Sequence, residues 1–579
     1  MGRDRHDPGS GSQARHAAYA RRTVARTRRI TALGWLLPLR GHPPEDEIPH
    51  DDLNDLERDR VAPYVTDVRG PVFALRNLPE VVKGALFARY SRSPKPLRRL
   101  LLDEFLPPEG AGPMTEAAAV GEERAEALYG RVLAEYGDDS VAQLGAAHVA
   151  VEGASNLLTK VLEWGRLGSY LEQSTRYISF ADRPGGRYRY HRPEPIAAHR
   201  ELGPRYERVL DGAFDAYAAL LPRLVEHVGA RVPADPGTPA AARERAVRAR
   251  ALDLLRGLLP AATTANVGIF ASGQAYEALL VRLRAHPLRE ARAVGDAMLR
   301  ELRKVIPAFL TRVDRPDRGG AHAEYLRAAE RTAGELAARL GPPAPVTSGP
   351  AVRLVDFDPD GEERVLAHAL WPHSARPLAE VRSLVAAMDP AERAAALAEW
   401  AGDRGDRRRR PGRALEATTY AFEVECDYGA YRDLQRHRML TLQAQPLTPA
   451  LGWDLPAEVA DAGGGEVYAR AQEECAALHD ELAGPFPAEA AYAVTMAHRI
   501  RFTMTMNARE AMHLIELRSQ PQGHESYRWV AREMHRRIAE DAGHRAIAAM
   551  MTFVDGGDHP AGRMAAEARQ EARRATLGR

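Results

Sequence analysis

Residues 422–438 read FEVECDYGAYRDLQRHR, and residues 149–166 read VAVEGASNLLTKVLEWGR. Val151 is taken with Val424, and the two stretches are expected to align without gaps. Carried forward at an offset of 272 (436 against 164), Arg436, His437 and Arg438 lie over Trp164, Gly165 and Arg166. A second pair agrees: GALFARYSRSPKPLRRLL (84–101) resembles AHALWPHSARPLAEVRSLV (367–385). Each copy is later followed by a long helix-like block, LLPAATTANVGIFASGQAYEALLVRLR (258–284) in the first and VTMAHRIRFTMTMNAREAMHLIELR (494–518) in the second. Self-similarity of this kind means two divergent copies of one fold.

Composition sets the bounds. The chain has 579 residues, 45% hydrophobic and 27% charged, which is globular and too long for one small core. Lys+Arg 80 against Asp+Glu 79 gives a net charge of +1, so a phosphate or nucleic-acid site has to be local. Two cysteines, Cys426 and Cys475, exclude a disulfide framework and a cysteine zinc site. Neither has a basic neighbourhood, so both read as core thiols in a reducing cytoplasm. There is no run of about 18 apolar residues, and no membrane span is predicted. Without a Walker loop, an H-E-x-x-H or an ordered dinucleotide fingerprint, no metal site and no such nucleotide motif is assigned.

Along the chain, residues 1–65 are rich in Arg, Gly and Pro and read as a disordered tail. LPEVVKGALFARYS and PLRRLLLDEFL (78–91, 96–106) have helical spacing, continued by AEALYGRVLAEYG (125–137) and 140–173. GELAARLGPPAPVTSGPA (334–351) ends a helix and becomes a linker, and RLVDFD and YAFEVEC read as strands. The expected divisions are a first copy over 66–340, a linker at 341–350, a second copy over 351–560 and a tail at 561–579. The expected fold is helix-rich α+β, each copy a small β-sheet with helices. The Arg407–Arg410 run reads as a solvated loop.

The chemistry is divided between the copies. Arg436, His437 and Arg438 form an anion clamp of fixed donors, followed by a bland tail. Under that tail, in copy one, lies LEQSTRYISF (171–180), dense in Glu172, Ser174, Arg176 and Tyr177. The combined pattern R-H-R-x-x-S, then E-x-S-x-R-Y, with Asn507-Ala508-Arg509 and Arg518 following, resembles the signature of flavin-dependent thymidylate synthases. The resemblance covers roughly residues 70–315 and 350–555. In that family each active site is built across subunits of a homotetramer.

The resemblance implies roles residue by residue. Arg436, His437 and Arg438 would hold FAD, with Asn507, Arg509 and His513 as further flavin contacts. Arg518 would pair with the uracil edge of dUMP. Glu172, Gln173, Ser174, Arg176 and Arg256 would grip the nucleotide and its phosphate, together with Gln435. Copy one has Ser272-Gly273-Gln274 and Leu283 where the second flavin contact and the uracil Arg belong. Copy two has Ala444, Pro446, Thr448 and Ala491 at the phosphate positions. The losses are complementary, so one composite site survives between the copies. The implied reaction is methylation of dUMP to dTMP with methylenetetrahydrofolate and NADPH as cosubstrates. It would run in a cytoplasmic homodimer that mimics the tetramer, without nucleic acid. The competing functions are C5 methylation of another pyrimidine nucleotide and a flavin- or nucleic-acid-binding scaffold.

Plainer alternatives stand beside these. Glu172 and Arg176 fit an intrahelical ion pair and Ser174 a cap, while Arg509 and Arg518 fit the wet face of an amphipathic helix. His513 fits a structural role, Tyr177 packing, and Arg432 with Asp433 a local pair.

Overall fold

The computed structural model describes residues 53–106 (except 71, 91, 92 and 94), 143–231, 240–341 and 350–557. They fall into two compact units, 1–125 and 126–579, so the 341–350 linker joins halves of one unit. The expected helix at 125–137, most of the N-terminal tail and the C-terminal tail lie outside the described residues.

In the first unit the expected helices form at Glu80–Tyr90 and at Leu97–Leu100, which runs on to Phe105. Residues 53–64 correct the expectation of a disordered stretch to 65. Asp55–Val61 is a helix with a capping box: Asn54 Oδ1 accepts from Glu57 N, and Glu57 reaches back to Asn54 N, both at 2.9 Å.

The second unit holds two antiparallel sheets. The first has strands β1 (Ala146–Ser155), β2 (Gly168–Glu172) and β3 (Thr264–Ser272) in the order β1-β3-β2. The second has β4 (Ala351–Phe357), β5 (Thr419–Asp427), β6 (Thr441–Ala444) and β7 (Arg499–Asn507) in the order β4-β5-β7-β6. The helices that matter for the site are α1 (Asn156–Leu162), α2 (Ala240–Leu255), α3 (Gly273–Ala285), α4 (Tyr428–Leu434), α5 (Ala508–Arg518) and α6 (Glu525–Glu540). The fold is therefore helix-rich α+β, with one small sheet per copy.

Three segments expected to be helical begin as strands. In β3 Ala265, Val267, Ile269 and Ala271 are buried, and in β7 Ile500, Phe502, Met504 and Met506 are. That is period two, the signature of a strand with one face on a core. Each of the larger side chains, the Val, Ile, Phe and Met residues, contributes about 1.5–3 kcal/mol by leaving water. The same burial pulls the Ala-rich 146–155 stretch into β1, paired with β3 from Ala146–Ser272 to Ser155–Thr264.

The repeat is visible in the backbone. α1 and α4 differ by 272 (156 against 428), and both are capped by the last strand residue: Ser155 Oγ accepts from Leu158 N, and Asp427 Oδ1 from Ala430 N. β3 and β7 differ by 235 (264 against 499), and Ser272 and Asn507 cap the helices that follow. The gapless alignment needs one correction. Val151 pairs with Val267 and Val424 with Phe502, equivalent positions at an offset of 273 (151 against 424). The extra residue is a bulge between Val151 and Ala154, where Gly153 takes φ +68°, a conformation that suits glycine.

The copies meet about a pseudo-two-fold axis. Pro260 bridges Thr495, its own equivalent (260 against 495). Ala261 N donates to Val494 O at 2.8 Å, and the equivalent Met496 N to Leu259 O at 2.9 Å. Ala262 N–Tyr492 O and Ala497 N–Gly257 O repeat the relation, both at 3.1 Å. Such self-complementary pairing is what a two-fold dimer interface shows, here within one chain.

Candidate functional site

α4 ends at Leu434, and the chain then delivers Gln435–Arg438 to the seam between the copies. From the other side come the end of β2, the loop after it, and the short turn Arg256–Leu258 after α2. Glu172 is the anchor. Its carboxylate is fully buried and accepts from Arg432 (2.7 Å), Arg436 (3.0 Å) and Lys160 (3.1 Å). Burial opposes its ionisation, but Arg432, Lys160 and Arg436 outweigh that and hold the carboxyl well below the usual range. Glu172 ends a strand, so the intrahelical pair with Arg176 does not form.

Asp433 is the second centre. Arg256 Nη1 donates to it at 3.2 Å, and Arg518 Nη1 stands 3.9 Å away. Its burial favours the acid, yet Arg176, Arg256, Arg518 and Arg436 together keep it an anion. Two of these arginines come from each copy. Arg432 and Asp433 therefore pair with other partners, not with each other. Arg256 Nη2 is buried with no hydrogen-bond acceptor among the described residues, and stands 3.8 Å from Asp427. Arg176 donates to Tyr527 Oη at 3.1 Å and faces Asp253 at 4.0 Å. Arg518 lies over the same Tyr527 ring, 5.4 Å from its centroid.

Arg518 is nearly buried rather than on a wet helix face. Its Nε donates to His437 Nε2 at 3.0 Å and its Nη2 to the Asp433 carbonyl at 2.5 Å. His437 Nδ1 lies 3.1 Å from Glu510. Burial, then Arg518 and Arg410, push His437 far below its ordinary pKa, so it is neutral. His513 stacks obliquely on His437 at 5.2 Å, and burial lowers it to about 4. Ligand atoms of His437, Glu510 and His513 lie within 4.8 Å of one another, but an ion there would displace the hydrogen bonds of His437.

The other expected residues are placed as follows. Asn507 Oδ1 is committed to capping α5 through Glu510 N at 2.9 Å. Arg509 reaches the 411–416 segment, 3.8 Å from Glu416. Gln435 is buried and donates to the Lys160 carbonyl across the seam at 2.8 Å. Gln173 N joins β3 through the Asn266 carbonyl, and Ser174 Oγ accepts from Arg176 N at 3.3 Å. Tyr177 is 59% exposed rather than buried. Arg436, Arg438, Tyr170, Leu171, Glu163 and Glu172 line an open pocket of ≈ 100 Å³, with Arg438 5.1 Å from the Tyr170 ring centroid. Cys426 and Cys475 are buried free thiols, both pushed up by burial, Cys475 to about 12.

A model of the thymidylate synthase complementing protein family matches residues 98–308 and again 353–542. The chain belongs to that family. Both matches fall on the two copies, and the break between them contains the linker. UPF0159 proteins are similar over nearly their whole length. That of Chlamydia pneumoniae is 40% identical over 513 residues (88% of this chain, 96% of the relative). That of Chlamydia muridarum is 38% identical over 526 residues (90% and 99%), and that of Thermoplasma acidophilum 33% over 517 (84% and 98%). A solved UMP/dUMP methylase, PolB from Streptomyces cacaoi bound with 5-Br dUMP, is 18% identical, covering 37% of this chain and 100% of its own, at a TM-score of 0.28.

Sequence reading missed Tyr527, Glu510, Asp433 and Lys160. Glu510 carries a signal, an acidic residue three after the helix cap Asn507. Tyr527 carries none, because α6 brings it in from another part of the chain. Among the described residues no helix is long and apolar enough to cross a membrane.

Proposed function

We propose that this member of the thymidylate synthase complementing protein family is an FAD-dependent thymidylate synthase, methylating dUMP at C5 to give dTMP. The observation that carries the reading is the convergence of Arg176 and Arg256 from copy one with Arg436 and Arg518 from copy two around Asp433. Arg256, with a buried Nη2 lacking an acceptor among the described residues, and Arg176 bind the nucleotide phosphate. Arg518, fixed by His437 and the Asp433 carbonyl, pairs with the uracil edge and stabilises charge at N3, which raises electron density at C5. Neither cysteine serves as a nucleophile at C6, since both thiols are buried.

The open pocket beside Tyr170 and Leu171 offers an aromatic ring and the guanidiniums of Arg436 and Arg438 to the edge of a flat, anionic cofactor. Flavin, when bound, supplies the hydride, while methylenetetrahydrofolate is the carbon donor and NADPH the reductant. Glu172 and Gln435 hold the two halves of the site together instead of touching substrate. Two copies per chain make a cytoplasmic homodimer the counterpart of the family tetramer. The test is the visible spectrum of the purified protein with and without dUMP. A flavin spectrum that shifts with dUMP, with the shift lost in Arg176→Ala and the flavin itself lost in Arg436→Ala, supports the reading. A colourless protein that takes up no FAD ends it.

A further inference from the structure

The hydrogen bonds around His437 have only one consistent direction. Arg518 Nε–H can only donate, so at 3.0 Å His437 Nε2 must accept. A neutral ring then carries its proton on Nδ1 and donates it to Glu510 Oε1 at 3.1 Å. Glu510 is itself fixed, because Asn507 caps its backbone N–H at 2.9 Å and its side chain is 8% exposed. The tautomer that receives Arg518 is thus chosen from the far side of the ring.

Copy one offers an internal comparison. At the repeat offsets His437 corresponds to Gly165, Glu510 to Ala275 and Arg518 to Leu283. All three members are gone together, while the cap survives as Ser272, which accepts from Ala275 N. A residue needed only for the helix or the strand-to-helix corner would have been kept with the cap. We propose that Glu510 is a positioning residue, which through the His437 tautomer sets the orientation of Arg518 at the nucleotide site. It touches neither substrate nor flavin. The inference rests on the role given to Arg518 above.

The test pairs kinetics with nitrogen NMR on protein labelled with ¹⁵N-histidine. In the wild type, the His437 signal, identified by its loss in His437→Gln, is the neutral Nδ1–H tautomer. Glu510→Met removes the acceptor: the tautomer signature changes and kcat falls about 100-fold, as expected of a misplaced catalytic group, with little change in KM for dUMP. Glu510→Gln, whose amide oxygen can still accept, restores the signature and most of the lost turnover. An Nε2–H or doubly protonated His437 in the wild type, or wild-type kcat in Glu510→Met, overturns the inference. If the wild type turns over no dUMP, the proposed function fails, and the tautomer with its dependence on Glu510 still decides whether the relay exists.

Discussion

At the end of β5, Asp427 caps α4 and meets Arg256, with Ser526 donating to its other oxygen. At the equivalent end of β1, Ser155 caps α1 and meets a carboxylate: Glu290 accepts from Ser155 N (2.9 Å), Ser155 Oγ (2.6 Å) and Tyr492 Oη (2.6 Å). Ala491 stands where Arg256 stands at the other seam, and Tyr492 where Gly257 does. One seam thus gathers guanidiniums, and the other is closed by a buried acid and a tyrosine. The caps at Ser155 and Ser272 and the strands β1, β2 and β3 all have counterparts in copy two, whose sheet adds β4 at its edge. What differs at the two seams is charge, and a buried charge is retained only where it has a partner or a ligand.

That asymmetry can be broken in order of size. Glu172 carries three cations, while its counterpart in copy two is Ala444. Glu172→Ala should cost about 3–5 kcal/mol, the penalty of leaving buried charges unpaired, read as a lower denaturation midpoint. A variant that melts like the wild type would mean that the seam is held by backbone pairing alone. Arg518→Leu makes copy two resemble copy one at Leu283. It should lower kcat about 10²–10³-fold with near-UV circular dichroism unchanged, since it removes a preorganised donor and not a packing element.

Next comes stoichiometry. A nucleotide phosphate at the Glu290–Tyr492 seam would meet an acid instead of Arg256, so calorimetric titration with dUMP should give one site per chain. Two equal sites would show that the seams are not functionally distinct. The smallest effects should be symmetrical: Asn507→Ala and Ser272→Ala each remove one helix cap, at about 1 kcal/mol apiece. A much larger loss of turnover in Asn507→Ala than its stability cost explains would give that side chain a role in the site as well.

The duplication was legible because one-dimensional spacing survives divergence. The 272-residue offset of α1 and α4 follows from residue numbers alone, as does the opposition of Arg436–Arg438 to the loop at 171–180. Strand and helix were harder to tell apart: alanine-rich stretches such as 146–155 favour a helix locally, and only pairing with β3 makes them strands. The one-residue bulge at Gly153 shows in the residue numbers only as two offsets, 273 at Val151–Val424 and 272 at Trp164–Arg436, and pairing with β3 is what places it.

What the sequence determined by itself is which chemical groups exist in each copy, and hence that each lacks what the other keeps. The tertiary structure decided which of these groups meet. Glu172, expected among the substrate contacts, became the anchor of three cations. Asp433, read as the partner of its neighbour, became the counter-ion of four arginines. Tyr527 entered from a helix with no motif. The physical reason is that charge pairing acts over a few ångströms in space and is blind to separation along the chain. Partners 81 residues apart within copy two, and 351 apart across the seam, are fixed by tertiary packing, not by local pattern.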